Sequence, residues 1–338
     1  MRGGAGVQGG GLLVRTCRCL KVSAGSRSRL RYHQRMGPAM PGVDPGARQR
    51  LTARFGRDVE AWLGELPGML AVLAQRWQVV LGSPIPRGSV SAVFRCQLAD
   101  GRHAVLKASP DRARLASEAA ALAAWRAVHT PAVIALDEQL GALLIEAIEP
   151  GTPLDLSLAY PAADSIAELL SSLHQSGVPG PSYPAAGQRV ACLFGSSAKL
   201  YERHRELTAL IPPHLYQRGH DLATRLARHD CPAVLLHGDL TPANILDGGA
   251  GRGLVAIDPA PCLGDAAFDA VDLILWQADD LQTIHARTSR LAAATGTDAQ
   301  RLAAWCTAFA AMSALELASR QNGPSARIEA LLELASQA

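Results

Sequence analysis

Lysine is scarce in this sequence, and so are aromatic residues. Only three lysines, at positions 21, 107 and 199, stand against 30 arginines, and aromatic residues make up 4% of the 338 residues. No run of about 18 uncharged apolar residues occurs, so the sequence predicts no membrane-spanning helix. The longest apolar run, Leu302 to Leu315, is Ala-rich and predicts a buried helix. The apolar fraction of 48% is enough for a core, which excludes a wholly disordered chain.

A disulfide framework is also absent. The seven cysteines are odd in number and widely spaced, and no CxxC pair occurs. This pattern argues against a disulfide scaffold and against a structural zinc site, and it predicts a reducing, cytoplasmic location.

Acidic residues are nearly missing from the beginning of the chain. Residues 1–50 hold ten basic residues and one acid, a net charge of +9, whereas the remainder carries 23 basic and 29 acidic residues, a net charge of −6. A mildly acidic body offers no basic face for a nucleic acid and is compatible with a cationic small molecule. We interpret residues 1–46 as an N-terminal extension that is disordered or results from a mis-assigned start, in preference to a targeting segment.

The rest of the chain divides into two parts. Residues 47–148 predict helices with a break or start at Pro67, then a β-β-β-α-β-β order with an Asp100-Gly101 hairpin turn. A linker-like Glu149–Pro153 follows. Residues 149–338 then predict mainly helices, interrupted by short strands that include a hairpin. The predicted helices of this part are Pro161–Gln175, Gly195–Ala209, His214–His229, Ala266–Arg290, Asp298–Arg320 and Ser325–Gln337.

The most specific motif begins at His237-Gly238-Asp239 and continues to Asn244, with Asp258 downstream. Asn244 opens the first strand of the predicted hairpin and Asp258 closes the second, so both side chains should arrive at one open end. An amide oxygen and a carboxylate are hard ligands that suit Mg²⁺. Asp239 would lie beside them as a third oxygen group, free to accept a proton. A plain turn with an Asx cap would explain either half alone but not the joint spacing.

Phosphoryl transfer also needs a cation on the donor phosphates. Lys107 lies in a predicted strand of a chain that otherwise uses arginine, and Glu118 on the next helix could pair with it. Gly88 and Ser89, in the loop between the first two strands, could offer backbone N–H groups and a hydroxyl to phosphate oxygens, although this loop is by itself a weak signal. No GxxxxGK[ST] motif occurs, which excludes a P-loop NTPase.

The order of loop, strand lysine, helix glutamate, HGDxxxxN and later aspartate resembles the protein-kinase-like fold. The sequence has HGD where protein kinases have HRD, and Ile257-Asp258-Pro259 where they have DFG, and in both respects it resembles the aminoglycoside phosphotransferases. Three further segments resemble the streptomycin-type aminoglycoside/hydroxyurea resistance kinases. These segments are residues 88–94, 235–239 and 256–269. The resemblance implies an α+β fold with a small antiparallel-sheet lobe and a mostly helical lobe.

The resemblance also implies roles for individual residues. Asp239 would be the catalytic carboxylate, Asn244 and Asp258 the magnesium ligands, and Lys107 the phosphate-contacting lysine with Glu118 as its partner. The inter-lobe hinge, from Glu146 to Ile148, would meet adenine through its backbone. His237 would support the catalytic loop, Asp265 would brace that loop, and Asp269 would start a helix. Thr241 and Ala260 depart from the His and Lys expected in this family, which affects the acceptor side.

The function implied is transfer of the γ-phosphoryl group of ATP, with Mg²⁺, to a hydroxyl of a cationic, streptomycin-like antibiotic, by a monomer or homodimer. A kinase for a sugar, fructosamine or amino alcohol would share every motif. A non-catalytic nucleotide-binding regulator is a further alternative, although such a protein would be expected to have lost Asp239 or a metal ligand. A protein kinase is disfavoured because no APE segment or activation-loop insert follows Asp258.

Overall fold

The computed structural model describes residues 42–86, 90–126, 128–157, 159–177, 183–228, 232–321 and 324–338. Most of the predicted N-terminal extension lies outside the described residues. The first described helix, α1 (Pro45–Phe55), begins after Asp44, whose carboxylate accepts hydrogen bonds from the backbone N–H groups of Gly46 and Ala47. None of the described helices is both long enough and apolar enough to cross a membrane.

The small lobe contains a five-stranded antiparallel sheet in the order β1-β2-β3-β5-β4. The strands β2 and β3 are joined by the predicted turn, in which Gly101 has a φ of +86° that only glycine adopts without strain. One helix, α3, links β3 to β4, as predicted. The elements are β1 (Val79–Pro84), β2 (Ala92–Leu98), β3 (His103–Ala108), α3 (Arg112–Ala124), β4 (Val133–Asp137) and β5 (Ala142–Glu146).

Two helices precede the sheet and share its core. Leu51 of α1 and Leu70 of α2 (Val59–Trp77) are buried in one cluster with Phe94 of β2 and Leu106 of β3. The predicted interruption at Pro67 is wrong, because Pro67 lies inside the continuous helix α2. The leucines on the buried face of α2 pack against the sheet, and this burial outweighs the hydrogen bond that proline cannot donate.

The large lobe is built on helices around α10 (Ala299–Ala318), which contains the run predicted to form a buried helix. The predicted single helix over residues 266–290 is wrong. The chain forms a 3₁₀ turn at Ala266–Ala270 and then two separate helices, Val271–Leu275 and Leu281–Thr295, with Gln277 between them at a φ of +52°. The other helices are α4 (Ala163–Ser176), α5 (Ala186–Arg203), α6 (Leu207–Leu210), α7 (Pro213–Ala227), α8 (Val271–Leu275), α9 (Leu281–Thr295) and α11 (Ala326–Ala335).

Two small antiparallel ladders lie in the large lobe. The predicted hairpin forms from β7 (Ile245–Asp247) and β8 (Leu254–Ala256). The other ladder pairs β6 (Val234–Leu236) with β9 (Cys262–Gly264), a strand that the sequence analysis did not predict. The segment between β6 and β7 and the segment between β8 and β9 contain all of HGDxxxxN and Asp258, so the two ladders hold the motif at both ends.

Candidate active site

Lys107 and Glu118 form a buried ion pair in the small lobe. Lys107 is 2% exposed on β3, Glu118 is 3% exposed on α3, and the Lys107 ammonium donates to Glu118 Oε1. Burial opposes the charge on Lys107, but the carboxylates of Asp258 and Glu118 reverse this effect, so the lysine pKa is raised. The lysine therefore stays charged although it is buried.

The same ammonium reaches across the cleft to the large lobe. Lys107 Nζ donates to Asp258 Oδ1 at 2.6 Å, over a sequence separation of 151 residues. Burial raises the pKa of Asp258, but the Lys107 ammonium, together with the smaller effects of His237 and Arg114, brings the net pKa below its ordinary value. The structure thus brings a cation and the predicted metal ligand into direct contact.

Asp258 has a φ of +59°, which is uncommon for a residue with a side chain. Such backbone persists only where the surroundings hold it, and these positions cluster at functional sites. The register of β7 and β8 pairs Ile245 with Ala256, and the Ile257 N–H donates to the Asn244 carbonyl at 2.8 Å. Asn244 and Asp258 therefore flank the same end of the hairpin, as the spacing predicts.

Asp239 lies beside Asn244 in the loop of residues 237–244, which the family resemblance predicts to be the catalytic loop. The Asn244 side-chain amide nitrogen donates to the Asp239 backbone carbonyl at 2.9 Å and to Asp239 Oδ2 at 3.1 Å. Because the nitrogen is committed to these contacts, the amide oxygen is the atom of Asn244 suited to a cation.

Asn244 and Asp258 fit a magnesium ion that arrives with a nucleotide. Among the residues described, no group of three or more His, Cys, Asp or Glu side chains could hold a metal. Mg²⁺ usually keeps water and binds through one or two carboxylates plus substrate phosphates, so a complete protein cage is not required. Asn244 and Asp258 supply the hard oxygens that such an ion needs.

His237 is fully buried and joins the catalytic loop to Asp258. Its Nε2 contacts the Ile257 carbonyl at 3.0 Å, and its Nδ1 accepts a hydrogen bond from the Asp239 N–H at 3.3 Å. These contacts require a neutral ring with its proton on Nε2, and burial lowers the His237 pKa accordingly. Trp125 stacks on the ring at 6.0 Å between centroids.

Asp269 braces the catalytic loop, and Asp265 does not. The Asp269 carboxylate accepts hydrogen bonds from the backbone N–H groups of His237 at 2.8 Å and Gly238 at 2.9 Å. Asp265 instead accepts from the Ala267 N–H at the start of the 3₁₀ turn, and from the side chains of Arg301 and Trp305. The predicted roles of the two carboxylates are therefore exchanged, because sequence spacing does not show which of them points toward the loop.

Residues 76–320 match the aminoglycoside/hydroxyurea antibiotic resistance kinase family. The chain belongs to this family. The resemblance inferred from the motifs is thus confirmed, and so is the assignment of the chain as a phosphotransferase with a hydroxyl acceptor.

Similar kinases are known from actinobacteria. The chain is 27% identical over 260 residues to a streptomycin 6-kinase of Streptomyces glaucescens, covering 74% of this chain and 82% of that protein. It is also 27% identical over 256 residues to a hydroxyurea phosphotransferase of Kitasatospora aureofaciens, covering 71% of this chain and 69% of that protein.

Solved structures confirm the two-lobe kinase-like fold. A choline kinase from Streptococcus pneumoniae has a TM-score of 0.55 at 16% identity, covering 79% of this chain and 97% of that chain. An aminoglycoside phosphotransferase in complex with ADP and hygromycin B has a TM-score of 0.52 at 16% identity, covering 78% and 97% of the respective chains.

The hinge of this aminoglycoside/hydroxyurea-type kinase is held by its side chains. Glu146 Oε1 accepts a hydrogen bond from Arg252 at 2.7 Å, and Glu146 Oε2 accepts one from the Ala132 N–H at 3.0 Å. A cavity of about 780 Å³ is lined by Glu146, Arg252 and Ile148, the last residue of the hinge. The contact of this hinge with adenine stays a prediction, and Gly88 and Ser89 lie outside the described residues.

Three contacts in this kinase have no signal in the sequence. Arg189 on α5 donates to Asp239 Oδ1 at 2.7 Å and to the Gly238 carbonyl at 2.6 Å. His174, interpreted from the sequence as a packing residue, contacts Asp269 Oδ2 at 3.0 Å. Each partner lies far away in sequence, so no local spacing could have revealed these contacts.

Two further carboxylates lie near Asp239. Burial raises the pKa of Asp272 to about 7, and the carboxylates of Asp239 and Glu316 add to this rise. Burial also raises the pKa of Glu316, and Asp239 contributes again. The helices α8 and α10 therefore each place a carboxyl group near Asp239, and the proximity of these groups makes each harder to ionise.

Proposed function

We propose that this kinase transfers the γ-phosphoryl group of ATP, as its Mg²⁺ complex, to a hydroxyl of a streptomycin-like aminoglycoside and thereby inactivates the antibiotic. The contact of Lys107 with both Glu118 and Asp258 carries the proposal. It joins a phosphate-binding cation of the small lobe to a metal ligand of the large lobe in one centre.

Each residue has a defined part in this reaction. Lys107 binds donor phosphates, and Asn244 and Asp258 hold Mg²⁺, which neutralises phosphate charge when it is bound. Asp239 orients the acceptor hydroxyl and receives its proton. As the bond from the acceptor oxygen to the γ-phosphorus forms, the bond from that phosphorus to the bridging β–γ oxygen breaks, and ADP leaves. The transition state is loose, so Asp239 receives the proton late.

The charge around Asp239 supports a cationic acceptor. The Asp239 carboxylate repels the ionised forms of Asp272 and Glu316. A cation bound among the three groups would relieve this repulsion. The relation to a streptomycin 6-kinase favours the same class of acceptor.

Replacing the catalytic carboxylate tests the proposal. We expect Asp239→Ala to lower kcat for streptomycin phosphorylation by at least about 10²-fold, because the acceptor loses its general base. The affinity for Mg-ATP, measured by calorimetry, should stay close to that of wild type because Asp239 faces the acceptor hydroxyl and does not bind the nucleotide. Asp164→Ala, which removes an exposed aspartate in the first turn of α4, serves as the matched control. Unchanged turnover in Asp239→Ala would remove this residue from the mechanism.

Hydroxyurea is the second candidate acceptor. The hydroxyurea phosphotransferase of K. aureofaciens is as similar to this chain as the streptomycin 6-kinase is, at 27% identity in each case. Assaying wild type with streptomycin, hydroxyurea, fructosamines, sugars and amino alcohols separates the candidates. Binding of Mg-ATP without transfer to any of them would instead favour a non-catalytic nucleotide-binding protein.

A further inference from the structure

Arg189 is an arginine of the large lobe that makes two hydrogen bonds to the catalytic loop. Its Nε donates to the Gly238 carbonyl at 2.6 Å, and its terminal nitrogen donates to Asp239 Oδ1 at 2.7 Å. The Arg189 side chain is 14% exposed and that of Asp239 is 30% exposed. A guanidinium in this forked arrangement fixes both the position and the direction of its acceptors.

The two oxygens of the Asp239 carboxylate are held from opposite sides. Arg189 donates to Oδ1, and Asn244 donates to Oδ2 at 3.1 Å. A carboxylate oxygen accepts two hydrogen bonds, so an acceptor hydroxyl can still donate to Asp239 while both contacts persist. The pair of donors prevents rotation of the carboxylate about its last bond.

Neutral residues occupy the neighbouring positions of the catalytic loop. Thr241 follows Asp239 by two residues, and Ala260 donates its N–H to the His237 carbonyl at 2.9 Å. Neither side chain brings a positive charge to Asp239. Arg189, which reaches the loop from α5 over a sequence separation of 50 residues, brings one.

We propose that Arg189 is a positioning residue for phosphoryl transfer, which orients the Asp239 carboxylate toward the acceptor hydroxyl by bridging it to the Gly238 carbonyl. This inference rests on the proposed function and adds to it a residue outside the motif. Because α5 belongs to the large lobe, the orientation of the carboxylate is set there and does not depend on closure of the small lobe.

Chemical rescue provides the test. We expect Arg189→Ala to lower kcat by about 10²-fold, the effect of a small misplacement of a reacting group, while KM for Mg-ATP stays near wild type. Millimolar guanidinium should then restore much of the lost kcat in this variant, but not in wild type or in Asp239→Ala. Arg189→Lys should fall between wild type and Arg189→Ala, because one ammonium replaces the fork.

The matched control is Arg203→Ala, which removes an exposed arginine in the last turn of the same helix. It should retain wild-type kcat with and without guanidinium. If Arg189→Ala turns over like wild type, or if guanidinium restores nothing, the positioning role is wrong.

Hydrogen exchange on the full chain tests the same inference without an acceptor. In Arg189→Ala the amide of Asp239 should exchange faster than in wild type, guanidinium should slow it again, and the amides of α10 should not change. Faster exchange throughout the large lobe would indicate a general loss of stability and overturn the inference. If wild type phosphorylates none of the acceptors but Arg189→Ala shows this local exchange pattern, the proposed function fails and the placement of Asp239 by Arg189 stands.

Discussion

Asp272 is a carboxyl group near Asp239 whose ionisation lowers the stability of the folded protein. Burial raises its pKa to about 7, well above the usual value of an aspartate, and the Asp239 and Glu316 carboxylates add to this effect. Between the ordinary pKa and the raised one, the folded protein holds a proton that the unfolded chain releases. Stability is therefore lost as the pH rises through this window.

This residue gives a pH-dependent prediction. We expect Asp272→Asn to raise the melting temperature at about pH 8, where wild type has ionised this group, and to change it much less at about pH 4, close to the ordinary pKa of an aspartate. Thermal denaturation of both proteins across this range measures the difference. Asp280→Asn, at an exposed helix cap that asparagine also serves, is the control. An equal gain at both pH values would contradict the assignment of the raised pKa to Asp272.

At the scale of elements, the catalytic loop depends on a carboxylate of the following 3₁₀ turn. Asp269 accepts two backbone N–H groups of the loop and contacts His174 on α4. Burial raises the pKa of Asp269, but His174, together with His237 and the hydrogen bond from the Gly238 N–H, brings the net pKa below its ordinary value. The ionised Asp269 carboxylate therefore contributes to the free energy of unfolding at neutral pH, and this contribution is lost as the pH falls through the depressed pKa.

Asp269→Asn tests this arrangement. We expect a loss of about 2–3 kcal/mol of unfolding free energy at neutral pH, because a charged acceptor of buried hydrogen bonds is replaced by a neutral amide with one acceptor oxygen. The loss should shrink in acid, and kcat should fall because the backbone that carries Asp239 is no longer fixed. Denaturant titrations at several pH values, paired with kinetics, measure both effects. A loss independent of pH would show that the charge of Asp269 does not matter.

At the scale of the whole molecule, the two lobes are joined by charged side chains on both sides of the cleft. Lys107 meets Asp258 inside the cleft, and Arg252 from the β7–β8 turn meets Glu146 at the hinge. Arg252 also donates to the backbone carbonyls of Thr130 and Val128, which precede β4. The hinge is thus fixed to the hairpin that Asn244 and Asp258 flank.

A double-mutant cycle on Arg252→Ala and Glu146→Gln measures this connection. We expect a coupling of about 1 kcal/mol in the free energy of unfolding, because the pair is partly shielded from solvent. The control cycle on Arg48 and Glu60, about half exposed on α1 and α2, should give a coupling near zero. Equal coupling in both cycles would mean that the hinge pair is an ordinary surface contact.

Features that arise from local spacing could be predicted from the amino-acid sequence without the fold. The Asp100-Gly101 turn, the β7–β8 hairpin and the placement of Asn244 near Asp258 follow from backbone geometry over short stretches. The scarcity of lysine pointed to Lys107 of β3 with Glu118 of α3 as its partner, the family resemblance agreed, and the structure brings the two side chains together. Each of these features could be predicted because its determinants lie close together or belong to a specific motif.

The side chains that hold the loop of residues 237–244 could be identified only from the folded molecule. The exchange of roles between Asp265 and Asp269, and the contacts of Arg189 and His174, join segments separated by 31 to 95 residues. The continuity of α2 through Pro67 likewise depends on the sheet against which it packs. Such contacts are selected by burial and charge in the folded molecule, and the spacing of residues along the chain carries no record of them.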